Sequence, residues 1–201
     1  PLGVIENDME VLDYLANNYN DAFSFDNQAH RFEHSIEYQA VLSKYYFRNT
    51  NFKIIPILVG SFQKFIYEKS EPISDNSISR FINGLNEALR KFNRHPIFIA
   101  SVDFSHIGMK FGDEFDAQSK LAECRNEDFK LIQSIADINK EAFFNEIIAT
   151  EDQWKVCGVS PNYALLSAIG PAKGYFLDYN QWYEEATKSA VSFASLAFWK
   201  E

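Results

Sequence analysis

Little in this chain is suited to crosslinking, to spanning a bilayer or to gripping nucleic acid. Its only cysteines are Cys124 and Cys157, two in 201 residues. A secreted disulfide scaffold needs more of them in a shorter chain, so a reducing, cytoplasmic setting is expected. No run of Lys or Arg exceeds two residues and the net charge is −9. That balance offers phosphate no basic face, and nucleic acid is not expected as a partner. The longest apolar runs, such as Ile54-Ile55-Pro56-Ile57-Leu58-Val59, are far too short to cross a membrane, and no signal peptide is visible. The sequence has no P-loop, dinucleotide fingerprint, Cys-x-x-Cys or His-Glu-x-x-His motif. Gly158-Val159-Ser160-Pro161-Asn162 lacks the second glycine of a nucleophile elbow. Repeats, low-complexity tracts and Gly/Ser/Pro-rich linkers are also missing, so a single domain over residues 1–201 is expected.

What the chain does have is bulk. Nineteen phenylalanines, ten tyrosines and a 46% hydrophobic content are the makings of a globular core. Periodicity places helices over 8–19, 33–46, 77–92, 114–136 and 140–149. The clearest is 77–92, where Ile78, Phe81, Ile82, Leu85, Leu89 and Phe92 recur at helical spacing. Ser160-Pro161 reads as a helix start with Ser as N-cap, and Gly170 as the matching C-cap. The apolar runs 53–60 and 96–102 read as buried strands, with 103–108 as the loop after the second. Residues 174–183 and 189–199 read as two strands joined by a polar turn. Strands alternating with helices predict an α/β fold: a mixed central sheet flanked by helices, with an antiparallel C-terminal edge.

Three short segments concentrate the chemistry. Ala29–Glu37 holds His30, Glu33, His34 and Glu37; Ser101–Gly108 holds Asp103 and His106; Val156–Gly158 holds Cys157. Asp103 and His106 lie just past a predicted strand end, where open α/β sheets bind ligands. A carboxylate three residues from an imidazole is suited to acid/base work, since it orients the ring and raises its basicity. The plainer reading is a loop Asp capping a turn beside a satisfied His. His34 and Glu37 share a helix face and resemble the His/Glu spacing of metal sites in bundles, or else form an ordinary exposed helical turn. His30 reads as a surface residue and His95 as structural. Cys157 precedes a helix start, where a thiol is acidified and becomes a better ligand or nucleophile. Gly158 beside it permits close backbone approach. Cys124, mid-helix, reads as a small buried hydrophobe.

These segments also carry a likeness. In one order the chain presents Pro1-Leu2-Gly3, Glu33-His34-Ser35-Ile36-Glu37-Tyr38-Gln39, Ile55-Pro56-Ile57-Leu58-Val59-Gly60, Ser101-Val102-Asp103-Phe104-Ser105-His106-Ile107-Gly108 and Cys157-Gly158. That series resembles the Memo family, including the prokaryotic members called AmmeMemoRadiSam system protein B. The likeness runs to the closing Val191–Ser195 stretch.

The resemblance implies a fold similar to the catalytic subunits of class III extradiol dioxygenases. It implies a non-haem metal site using His34 and Cys157 with His106 close by, and His106 with Asp103 as the acid/base pair. Iron or copper is the expected metal, with zinc as an alternative. It implies metal-linked redox chemistry of a dioxygenase-like oxidoreductase, with a radical-SAM protein and an AMMECR1-like protein as partners by family association. The alternative is a non-catalytic module that accepts a peptide or small ligand in a vestigial cleft. Two differences from the family pattern stand out. A Pro-His-Ala-Gly-Tyr-like segment that supplies a further histidine is missing, so an N-terminal segment is expected to precede Pro1. The helix after Glu37 also reads Tyr38-Gln39-Ala40, without the family's proline.

Overall fold

A computed structural model describes residues 3–25 and 27–200; Pro1 and Leu2 of the Pro-Leu-Gly segment lie outside the described residues. In chain order its elements are β1 (Glu6–Asn7), α1 (Met9–Asn18), α2 (Asn27–Phe32), α3 (Ser35–Tyr46), β2 (Lys53–Ile54), α4 (Gln63–Glu68), α5 (Asn76–Lys91), β3 (His106–Gly108), α6 (Leu121–Ala136), α7 (Lys140–Ala149), α8 (Val159–Ala168), β4 (Lys173–Glu184) and β5 (Ser189–Trp199). The mixed α/β class is as expected. The strands, however, form two small sheets among the described residues: a parallel pair β1-β2, and an antiparallel sheet in the order β3-β5-β4. The backbone clusters into two units, one running up to Gly60 with Pro72–Ser101, the other Ser61–Glu71 with Val102 onward.

The first unit is built on α1 and α5. Asp75 caps α5 by accepting from the Ser77 amide at 2.9 Å, and the helix then turns its apolar stripe inward. Val11 and Leu15 meet Leu85, Ala88 and Leu89, with Ile55, Ile57, Phe81, Phe92 and Phe98 packed around them. The runs 53–60 and 96–102, expected as buried strands, are mostly irregular; only Lys53–Ile54 pairs, with Glu6–Asn7. Alternate side chains point inward while Leu58, Ile97 and Ile99 are exposed. An apolar run signals burial on one face here, not on two. Helix α3 has no fully buried residue. It is tied by polar contacts instead: the Ser101 hydroxyl donates to the Ser35 carbonyl (3.0 Å) and accepts from the Gln39 amide (3.2 Å).

The second unit packs α6 against β4, β5 and α7, and α7 against α8 and α4. Its core is aromatic. Phe143, Phe144 and Tyr163 are fully buried, and the Tyr163 ring meets Phe62 and Phe144 edge-on at 5.8 and 5.4 Å between centroids. Burying such rings is the main favourable term in a core of this kind. The 114–136 helix begins later than expected, at Leu121, after a 3-10 turn over Ala117–Lys120. Helix α8 is capped by Gly158, not Ser160. The Ser160 hydroxyl is used elsewhere, accepting from the Phe62 amide at 3.0 Å. Among the described residues, no helix is long and apolar enough to cross a membrane.

Candidate functional site

The segment 103–108 is not the free loop that its sequence suggests. His106–Gly108 forms β3, with His106 opposite Val191 and Gly108 opposite Ser189. Gly108 sits at φ 101°, and a Cβ there would stand 2.3 Å from the Lys188 carbonyl oxygen. Only glycine lets β3 lie so close to the turn. Upstream of β3 the pairing continues irregularly along Ser192. The Phe104 amide donates to the Ser192 carbonyl (2.9 Å) and the Ser192 amide to the Ser105 carbonyl (3.0 Å). The Ser105 amide donates to the Ser192 hydroxyl (2.9 Å).

On its other side, 104–106 is tied to 154–157. The His106 amide donates to the Trp154 carbonyl at 2.8 Å, and the Cys157 amide donates to the Phe104 carbonyl at 3.0 Å. The same Phe104 oxygen lies 3.1 Å from Nδ1 of His106. One carbonyl thus receives the candidate cysteine's amide and faces the candidate histidine's ring. A carbonyl facing Nδ1 favours the tautomer with the proton on Nδ1, in which Nε2 keeps its lone pair. Nε2 lies 3.7 Å from Oδ2 of Asp103, and the His106 side chain is 18% exposed. Phe111 packs on the ring edge-on at 4.9 Å between centroids.

Gly158 makes this junction possible. A Cβ there would be 2.7 Å from the Asp103 carbonyl oxygen, 2.8 Å from Val102 and 2.7 Å from the Asn162 amide nitrogen. The turn leading to Cys157 holds Glu151, Asp152 and Lys155 at positive φ, near 51–52°. Left-handed backbone at ordinary side chains costs energy and tends to gather at working sites. The turn is held by the Val156 amide donating to Asp152 (2.9 Å) and by a 2.6 Å Lys155–Asp113 ion pair. Burial pushes the Asp152 carboxyl above its ordinary range. Cys157 is exposed, Cys124 is buried, and neither forms a disulfide.

His34 belongs to the first unit. It is the N-cap residue of α3, and its side chain is 79% exposed, with Nδ1 3.7 Å from Glu33. Glu33 Oε1 accepts from the His34 amide (2.8 Å) and the Ser35 amide (2.9 Å). Those bonds hold the carboxyl below its ordinary range, the Ser35 amide contributing most. Glu37 is exposed in the first turn of α3, His30 is exposed on the short α2, and His95 is exposed. Among the described residues, no three His, Cys, Asp or Glu side chains form a group that could hold a metal ion.

Sequence reading missed Asp128. It lies on α6 and is fully buried, accepting from the Ser105 hydroxyl at 2.6 Å and the Tyr179 hydroxyl at 2.7 Å. The Cys124 thiol approaches at 3.7 Å. The available signal was positional: Asp128 falls in register with Cys124, Leu131, Ile132 and Ile135, all on the buried side of α6.

A mixed α/β chain whose laced loops carry a histidine, an aspartate and a cysteine is thus the class that fold and site define. More particularly, the profile described as Memo-like protein matches residues 1–197, and the chain belongs to that family. It is 29% identical over 204 residues to a "MEMO1 family protein" of Aquifex aeolicus, covering 99% of this chain and 49% of that protein. It is also 29% identical over 210 residues to a "MEMO1 family protein" of Thermococcus onnurineus, covering 100% of this chain and 67% of that protein. A relative in Methanosarcina barkeri is 28% identical over 183 residues, covering 90% of this chain and 58% of that protein. The chain therefore spans about half to two thirds of the length of these relatives.

Proposed function

We propose that this chain carries the working loops of a metal-binding, redox-linked Memo-family protein. Cys157, His34 and His106 are the candidate metal ligands, and Asp103 and His106 act as an acid/base pair. The observation that carries the reading is the shared Phe104 carbonyl, which anchors the Cys157 amide and faces the His106 ring. Residues 106 and 157 lie far apart in sequence, yet they share this one anchor.

The donor types fit a transition metal. Thiolate with imidazole suits iron, copper(I) or zinc. Cys157 is exposed, and an Nδ1 held toward a carbonyl leaves Nε2 as the donor or base. When bound, such a metal would supply Lewis acidity or electron transfer. The protein's own contribution is to fix the His106 tautomer, to place Asp103 where it steadies the imidazolium, and to present a thiol at the start of α8. Dioxygenase-like turnover and a radical-SAM partner are part of this proposal.

The test is metal titration of the chain with ferrous iron, copper(I) and zinc. Cys157→Ser and His34→Ala should each weaken binding by about tenfold or more, since losing a ligand should cost at least as much as losing its outer partner. His106→Ala should keep most of the affinity and abolish oxygen uptake with catechol-like substrates. If Cys157→Ser and His34→Ala bind all three metals as tightly as wild type, the assignment is wrong. Metal binding without oxygen uptake in wild type would leave the ligand-binding module as the better reading.

A further inference from the structure

We infer that Asp128 is a positioning residue: a buried carboxylate that sets the His106 tautomer and the Cys157 anchor by holding Ser105. It acts through the backbone between them.

The argument starts from what a carboxylate can do. Ionised, it is acceptor-only, with room for about four hydrogen bonds. Asp128 draws on groups from separate elements: the Ser105 hydroxyl beside β3, the Tyr179 hydroxyl from β4, the Ser192 hydroxyl from β5 and the Cys124 thiol from its own helix. These are hydroxyls and a thiol, not a cation, so Asp128 is no ordinary buried ion pair. Such a carboxylate is costly to bury, and burial pushes its pKa up against the pull of those donors. An apolar residue at this place would carry no such desolvation cost.

The geometry shows where that cost is spent. Ser105 is 1% exposed. Its hydroxyl is fixed by Asp128, its amide by the Ser192 hydroxyl and its carbonyl by the Ser192 amide. All three polar groups of Ser105 are thereby committed, and the peptide that joins it to Phe104 has one orientation. That peptide carries the Phe104 carbonyl, which anchors the Cys157 amide and faces His106 Nδ1. Asp128 also takes a hydrogen bond from the Ser192 hydroxyl, the same oxygen that receives the Ser105 amide. Freed from Asp128, the Ser105 and Ser192 hydroxyls can both turn, and the Phe104–Ser105 peptide loses its fixed partner on that side. The reason to choose Nδ1 for the proton then weakens.

This inference rests on reading His106 as the working imidazole, yet its test does not use the metal. The chain holds four histidines, so 15N labelling of histidine gives a tractable spectrum, with His106→Gln identifying the His106 signals. The protein is kept in chelator at about pH 8, where an ordinary imidazole is neutral. Wild type should show His106 mainly as the Nδ1–H tautomer. Ser105→Ala and Asp128→Asn should lose that majority while circular dichroism shows the fold retained. Asp128→Asn offers one acceptor oxygen where two stood and turns N–H groups toward hydroxyl donors. Tyr179→Phe removes a donor on the β4 side of the network. It should lower the unfolding midpoint and leave the tautomer unchanged.

An unchanged tautomer in folded Ser105→Ala overturns the inference, even where Asp128→Asn does not fold. So does a tautomer shift in Tyr179→Phe as large as in Ser105→Ala, which would indicate general softening of the core. A wild-type ring already in the Nε2–H form overturns it as well. Failure of the metal titrations alone would sink the metal-site reading and leave this result standing.

Discussion

His106 and His34 are similar side chains held in dissimilar ways. Around His106, long-range bonds from Trp154, Cys157 and Ser192 fix the backbone, and the ring is mostly buried. Around His34, the named contacts come from its own turn, Glu33 and Tyr38, and the ring is mostly exposed. Position at His106 is thus imposed from distant parts of the chain, and at His34 by a local cap. Two carboxylates differ in another way, since both are held from afar: Asp8, in the first unit, is paired with the Arg94 guanidinium at 2.7 Å, whereas Asp128 is held by neutral donors. A group placed from a distance can be held to a geometry that its neighbours in sequence do not favour, at the cost of desolvation.

The sharpest way to probe this difference is chemical. Burial and the Asp128 charge push the Cys124 thiol up to about 12, whereas Cys157 is exposed. Iodoacetamide at neutral pH should label Cys157 fast and Cys124 slower by several orders of magnitude, because the thiolate is the nucleophile. Peptide mass spectrometry over time reads both rates, and comparable rates would mean that α6 does not shield Cys124.

Stability comes next. Ile107 is 1% exposed, so Ile107→Ala should cost about 2–5 kcal/mol by urea unfolding. On the His34 side, Tyr38 is 66% exposed, and Tyr38→Ala should stay within about 0.5 kcal/mol. Equal costs would erase the contrast. Gly158→Ala should fall between them. Gly158 has φ −77°, which alanine adopts freely, so its cost is the steric clash with Asp103 and Asn162, about 1–3 kcal/mol of overpacking. A neutral Gly158→Ala would show that the junction has slack.

The smallest expected effect is in pH, and it has opposite signs in the two units. The hydrogen bond from Arg94 holds the Asp8 carboxyl below 3.8. Its contribution is present above 3.8 and lost as pH falls through the lower folded value. Burial lifts Asp128 above 3.8. Its contribution is greatest while the group is protonated, below 3.8, and is lost as pH rises through the higher folded value. Unfolding free energies measured across acid pH should therefore lose their fall toward low pH in Asp8→Asn, by on the order of 1 kcal/mol. Asp128→Asn should instead remove a loss that sets in above pH 3.8. The same slope change in both variants would overturn the assignment.

Local pattern made much of this legible. The stripe of α5, the helices α1 and α7 and the β4-β5 hairpin follow the sequence closely, because each is specified by neighbours a few residues apart. The Memo likeness was legible too, through Glu33–Gln39 and Ser101–Gly108. What escaped was set by distant partners. Residues 106–108 become a strand because 189–191 lie opposite. Ser160 gives up its expected capping role because the Phe62 amide claims its hydroxyl. Asp128 is a charge in a helix, which reads as surface until Ser105 and Tyr179 are seen around it.

The placement of the three tryptophans gives the molecule a built-in optical reporter. Trp182 and Trp199 are 68% and 73% exposed, whereas Trp154 is 6% exposed, and its carbonyl accepts from the His106 amide. Acrylamide in water should silence the two exposed indoles first. The blue-shifted emission that survives comes from Trp154 alone. Its intensity then reports, without a label, on the surroundings of the junction between 154–158 and 104–106.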